Sequence, residues 1–224
     1  MEFSVQTANP AKAETPCLLV PVYKGGDFLP TVAKLDDASE RLIGQLLERG
    51  DFDAALGNVQ LVPFAPGLGA ERILLVGLGE REKCQEAAFI KALDAAMAAL
   101  VKLPIDEASV VFGDVPLADR DAAWKARKVM EAAERAIYRF DQFKSSPAPA
   151  PSLAKLTLII TDADAVPQVK QGALVGNAIG QGINYTRTLG NLPGNVCTPS
   201  YLAEQAEQLG RDSQGALEVE ILDE

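Results

Sequence analysis

The sequence predicts an α/β sandwich built on a largely parallel sheet with at least one antiparallel strand. Three observations carry this prediction. Short strand-like runs alternate with amphipathic stretches of helical length along residues 1–160. Two of the runs, residues 17–22 (CLLVPV) and 71–77 (ERILLVG), hold continuous apolar stretches, as strands covered on both faces do. Hydrophobic residues make up 48% of the 224 and charged residues 23%, enough to bury a sizeable core.

Taken in order, residues 2–7 (EFSVQT) alternate apolar and polar and read as an edge-like strand. Residues 17–22 form a buried strand, with Pro21 marking its terminus. Residues 24–27 (KGGD) turn the chain. Leu35, Ala38, Leu42 and Leu46, with Ile43 and Leu47, recur at helical spacing and predict one helix that stops at Gly50. Residues 58–64 are a strand closed by Pro66-Gly67. Residues 71–77 give the strongest central-strand signal, and Leu78-Gly79 follow it. A helix runs over 85–103 with Phe89, Leu93, Ala96, Leu100 and Leu103 on one face; Pro104 stops it. Residues 108–112 (ASVVF) are another buried strand. Residues 119–140 form a long helix with Val129, Ala133, Ala136, Ile137 and Phe140 inward. Residues 145–152 (SSPAPAPS) are a semi-rigid linker of polyproline character, and residues 153–160 return to strand.

From about Val166 the character changes. A helical pattern continues to Leu189 but carries Gly172, Gly176, Gly180 and Gly182. Each interior glycine costs roughly 0.5–1 kcal/mol relative to alanine. The first three fall four apart on one face, which predicts a helix pressed against a neighbouring domain or subunit. Gly190, Asn191, Pro193, Gly194 and Asn195 then crowd into a stiff elbow. Thr198 is the expected N-cap of the next helix, with Pro199 at its first position. That helix runs over 199–209 and ends at Gly210, and residues 217–222 (LEVEIL) read as a strand. One helix and one strand cannot bury a core. The expected organisation is therefore an N-terminal domain over 1–164, a linker helix over 165–192, and the start of a second α/β domain over 193–224. The chain reads as the N-terminal part of a longer protein.

Composition removes several classes of chemistry. The formal net charge is −10 and the pI about 4.6, a field that disfavours binding to nucleic acid or anionic membranes. There is no histidine, so Ser-His-Asp and Cys-His mechanisms within this chain are excluded, as is any histidine-containing metal site. Cys17, Cys84 and Cys197 are too far apart for a zinc motif and odd in number, which suits reduced thiols in the cytoplasm. No signal peptide or membrane-spanning run is present. Gly77-Leu78-Gly79 lacks the third glycine of a dinucleotide fingerprint, since position 82 is Glu, and Glu80, Glu82 and Glu86 would repel a pyrophosphate. It reads as a tight strand exit. The carboxylate pairs Asp36-Asp37, Asp51/Asp53 and Asp162/Asp164 read as solvated surface, the last pair also helping to start the next helix. Trp124, Tyr138 and Phe140 read as core, with the aromatics of 138–144 stapling a helix end to the sheet.

The pattern Arg187, Leu189, Asn191, Pro193, Asn195, Thr198 and Pro199 resembles the entry to the catalytic domain of the leucyl aminopeptidases, peptidase family M17. Gly194 departs from it, because the family more often has proline there. Residues 71–79 (ERILLVGLG) and 138–144 (YRFDQFK) are similar to the family's N-terminal domain, and the order of elements agrees along essentially the whole chain. The resemblance implies a macro-domain-like three-layer α/β/α sandwich with a mixed sheet, a linker helix, and the first elements of a second α/β domain. It implies a cytoplasmic parent enzyme, a homo-hexamer that releases N-terminal residues, preferably leucine, from peptides. Two divalent metal ions, Mn or Zn, would activate the attacking water there. The family's metal ligands sit around an Asn-Thr-Asp-Ala-Glu-Gly-Arg-Leu signature that this chain lacks. No catalytic, cofactor-binding or metal-binding residue carries over to this sequence, and the fragment is expected to be structural or regulatory and inactive. Arg187, Asn191, Pro193, Asn195, Thr198 and Pro199 carry over as structural positions at the domain junction. Some family members bind DNA; the acidic charge disfavours that for this fragment. The alternative reading is a macro-like module that binds ADP-ribose or a similar nucleotide.

Overall fold

The computed structural model describes residues 1–222; Asp223 and Glu224, which close the expected second domain, lie outside the described residues. Six strands form one sheet: β1 (Glu2–Thr7), β2 (Leu18–Tyr23), β3 (Val59–Val62), β4 (Ile73–Gly79), β5 (Glu107–Val110) and β6 (Lys155–Ile160). Their order across the sheet is β1-β6-β5-β2-β4-β3. Every neighbouring pair is parallel except β3 with β4, so the sheet is mixed. The first strand therefore pairs with the last, Glu2 opposite Lys155 through Thr7 opposite Ile160.

Burial explains which run became which strand. All six residues of β2 are buried, as are the first six of β4, so helices must cover both faces at the centre. Pro21 does not end β2, which continues to Tyr23. The amides of odd-numbered residues point towards β5, as the Val111-to-Leu19 and Ser109-to-Cys17 bonds show. β5 pairs with β2 only at Leu18 and Leu19, so Pro21 lacks an N–H where no neighbour remains to receive it.

Six helices accompany the sheet: α1 (Pro30–Ala38), α2 (Leu42–Arg49), α3 (Glu86–Leu100), α4 (Ala122–Ile137), α5 (Val166–Asn191) and α6 (Pro199–Asp212). The single helix expected over residues 35–47 is two. Glu40 and Arg41 adopt left-handed backbone, at φ 55° and 63°, and break it. The Ser39 hydroxyl donates to Leu35 O at 2.7 Å, and Arg41 N–H to Asp36 O at 2.8 Å. Asp36 is not solvated surface. It is buried, and its Oδ1 accepts the Gly44 N–H of α2 at 2.9 Å.

α4 is shorter than expected. Asp121 caps it by accepting the Trp124 N–H at 2.8 Å, and Tyr138 leaves it in extended backbone. Residues 138–144 therefore lie beyond the helix, with Phe143 exposed and its ring against Phe140. Trp124 does pack inward, its ring 6.0 Å from that of Phe89.

The glycine face of α5 has a definite neighbour within this chain, the helix α4. A Cβ on Gly172 would stand 2.7 Å from Ala123 Cα, and one on Gly176 2.8 Å from Arg127 Cα. One on Gly180 would meet Glu134 Cγ at 2.8 Å. These partners are all on α4, so the glycines let two helix backbones of the same unit touch.

The chain divides into two compact units, Met1–Gly182 and the residues from Ile183 onward, with the division inside α5. In the second unit the elbow after α5 is closed by its own backbone, Val196 N–H and Cys197 N–H both reaching Pro193 O. The strand expected over residues 217–222 is absent, with no paired backbone, and Leu222 is 81% exposed. The alternation suits a strand, but among the described residues no strand pairs with it to make a ladder. Gly210 lies inside α6 rather than ending it. The Val219 side chain approaches it so closely that an added Cβ would meet Val219 Cγ2 at 3.0 Å.

Candidate functional site

The carboxylates named from the sequence resolve into structural parts. Asp53 accepts from Ala55 N–H at 2.9 Å and from Asn58 Nδ2 at 2.7 Å, and these bonds hold its carboxyl below the usual range. Asp162 accepts from Asp164 N–H at 3.0 Å and opens the turn that leads into α5. Among the described residues, no group of three or more Cys, Asp or Glu side chains could hold a metal ion. The residues present therefore do not fit the two-metal centre that the resemblance implies.

The Gly77-Leu78-Gly79 segment belongs to β4 itself. Gly77 N–H donates to Asn58 O at 2.8 Å and Gly79 N–H to Ala54 O at 3.0 Å. Those amides cannot also cradle a phosphate. The segment is a strand exit crowded by the backbone of Ala54 and Ala55.

Cys17 and Cys84 are buried and free. Burial pushes the Cys17 thiol up to about 12 and the Cys84 thiol in the same direction, so neither offers a thiolate near neutrality. Cys197 is free and half-buried.

The junction residues lie together at the end of α5 and the start of α6. Arg187 Nη1 donates to Asn184 Oδ1 at 3.2 Å. Thr198 Oγ1 accepts the Tyr201 N–H at 3.2 Å, and Pro199 takes the first helical position, as the sequence predicts. Tyr185 Oη meets Gln205 Oε1 at 2.9 Å and ties the two helices of this unit.

Sequence reasoning missed a cavity of about 260 Å³ in the first unit, at the carboxyl ends of β5 and β6. Thr31 of α1, Ala126 and Val129 of α4, and Val169 of α5 help to line it. Asp114, just past β5, accepts the Thr31 N–H through Oδ2 at 2.8 Å and so caps α1, whose own N-cap residue Leu29 supplies no side-chain bond. Lys125 Nζ donates to Gly113 O at 2.5 Å and Val115 O at 3.1 Å, which fixes the loop that carries Asp114. Burial lowers the Lys125 pKa, and Asp114 and Asp121 oppose that shift. Gly113-Asp114, directly after an apolar strand, was the signal available in the sequence.

Comparison with known proteins gives these features a family. Residues 19–147 match the N-terminal domain of the cytosol aminopeptidase family. A probable cytosol aminopeptidase from Chromohalobacter salexigens is 66% identical over all 224 residues, which span 44% of that relative. The cytosol aminopeptidase of Pseudomonas aeruginosa is 38% identical over the whole chain, which spans 45% of it. Among solved structures, a tomato leucine aminopeptidase variant superposes with a TM-score of 0.77 at 19% identity, over 96% of this chain and 43% of that one. The bottromycin maturation enzyme BotP, in complex with Mn, superposes at 0.66 with 23% identity, over 89% of this chain and 37% of that one. At such identities these two show the fold alone. The chain thus spans a little under half the length of the curated relatives it matches. On the strength of the match over residues 19–147 and the relatives aligned along its full length, this chain belongs to the cytosol aminopeptidase family and contains that family's N-terminal domain.

Proposed function

We propose that the chain is the non-catalytic N-terminal part of a metal-dependent leucyl aminopeptidase, which releases N-terminal residues, preferably leucine, from peptides. The carrying observation is the family match over residues 19–147 in a chain that spans 44% of its 66%-identical relative. On this reading residues 1–164 are the N-terminal domain, 165–192 the linker helix, and 193–224 the start of the catalytic domain. The metal pair, Mn or Zn, is assigned to the remainder of the parent, around the Asn-Thr-Asp-Ala-Glu-Gly-Arg-Leu signature that this sequence lacks. The parent is a homo-hexamer acting in the cytoplasm. Its relatives' names support the location, and among the described residues no helix is long and apolar enough to cross a membrane. The −10 charge argues against DNA binding by this chain. The alternative, a nucleotide-binding module, gains nothing from the Gly77-to-Gly79 segment, whose amides are already bonded.

The test is hydrolysis of leucine p-nitroanilide with added manganese or zinc. The 224-residue chain should release no p-nitroaniline, and a chain extended to the relatives' full length should release it in a chelator-sensitive way. Chelator-sensitive release by the 224-residue chain, absent from a mock purification, would overturn the assignment.

A further inference from the structure

We propose that the α-amino nitrogen of Met1 is a site where acylation controls folding: it serves the structure as a free ammonium, and a chain begun with N-formylmethionine must be deformylated before β1 is properly seated. An ion pair is the first argument. The Met1 ammonium donates to Glu134 Oε1 at 2.6 Å, across 133 positions of sequence. Glu134 lies on α4 and is only 4% exposed. A carboxylate withdrawn from water to that degree needs charged donors to offset its lost hydration.

The second argument is the room made for that side chain. A Cβ on Gly180 of α5 would meet Glu134 Cγ at 2.8 Å, whereas Gly172 and Gly176 face the backbone of α4. Of these three glycines, Gly180 is the one that clears the path of the Glu134 side chain. The third argument is position. Glu2 N–H donates to Ala154 O at 2.9 Å, and Glu2 opens the pairing of β1 with β6. The ion pair and the ladder therefore start at adjacent residues: one pins the head of β1 to α4, the other to the sheet. A formyl group changes the first of these. It turns the ammonium into a neutral amide, removes two of its three N–H donors, and leaves a buried carboxylate facing an uncharged group. The reaction class that restores the pair is amide hydrolysis. Water adds at the formyl carbon, the C–N bond breaks, formate leaves, and the nitrogen takes up both water protons to become the ammonium.

Two forms of the 224-residue chain test this, each N-terminus verified by intact mass: one with a free Met1, and one with formyl-Met1 made in cells whose deformylase is inhibited. In urea titrations the formylated chain should show an unfolding equilibrium constant roughly 10–100 times that of the free form. Hydrogen exchange should rise most in β1. Glu134→Gln keeps the volume and an acceptor but removes the charge, so in that variant the penalty for formylation should largely vanish. A formylated chain as stable as the free one would overturn the proposal. So would a penalty of equal size in Glu134→Gln, which would trace the effect to the bulk of the formyl group. Should Glu134→Gln not fold, β1 exchange that is equal in the free and formylated chains is the result that sinks the idea.

Discussion

Gly176→Ala tests the packing of α5 on α4. Alanine is the better helix former by about 1 kcal/mol, so on propensity alone the substitution stabilises. The structure reverses the sign. The new Cβ would lie 2.8 Å from Arg127 Cα and closer still to the Arg127 carbonyl. Carbon atoms rest at about 3.5–4.0 Å, so the helices must part by roughly 1 Å. A gap of that size forfeits a quarter to a half of the dispersion attraction along the contact. The obstructing atoms are backbone, which cannot swing away, so the overpacking cost sits near the upper end of the usual ~1–3 kcal/mol. Less the propensity gain, Gly176→Ala should destabilise the chain by about 2 kcal/mol and lower the melting temperature by roughly 4–8 °C. Gly182→Ala is the matched control, because a Cβ there meets nothing within 4 Å; it should stabilise by up to about 1 kcal/mol. Urea and thermal denaturation followed by circular dichroism give both values. If Gly176→Ala matched or exceeded the unmodified chain in stability, the close approach of α5 to α4 would be wrong.

Two further substitutions probe a cap and a buried charge. Thr198→Ala removes the side-chain acceptor of the Tyr201 N–H and should cost about 1 kcal/mol locally, seen as faster hydrogen exchange in the first turn of α6 and little change in β4. Glu131 is buried on α4; burial pushes its carboxyl up, but the ion pairs with Lys128 and Arg127, at 2.6 Å each, prevail and hold it below 4.5. A folded-state pKa below the unfolded one contributes stability that is present above about 4.5 and lost as pH falls through the folded value. Glu131→Gln should therefore cost ~1–3 kcal/mol near neutrality, and its deficit in urea titrations should shrink as pH drops below about 4.5. A deficit that is constant with pH would rule out the ion pairs as its source.

The sheet was legible because strands buried on both faces leave continuous apolar runs, as Leu18 to Val20 and Ile73 to Val76 do. The glycine face of α5 was legible for a similar reason: a four-residue period survives in the sequence whatever it packs against. What it packs against was not legible, since nothing in residues 172–180 names α4. The break between α1 and α2 was hidden because left-handed turns favour glycine and asparagine, and here Glu40 and Arg41 adopt them. Asp36 looked solvated because its partner amide is eight residues away, past that unseen turn. The cavity depends on β5 and β6 lying side by side and on Asp114 reaching Thr31 across 83 positions. Strand order and a contact of that separation leave no periodic trace. Residues 217–222 misled in the opposite way, by having a strand's alternation without a strand's neighbour.

The pairing of β1 with β6 sets a schedule for synthesis. Glu2 leaves the ribosome 153 residues ahead of its partner Lys155, which emerges only after four other strands and four α-helices have been made. At 5–20 residues per second the wait is on the order of ten seconds. Through that interval β1 is a short strand with an unsatisfied edge, tethered to a growing chain and free to pair wrongly. Its alternating polar residues, Glu2, Ser4 and Gln6, and its length of six keep that interval tolerable. The sheet's outer border is therefore fixed by the order of translation: the strand born first is the last to be seated, and only when β6 arrives can it close.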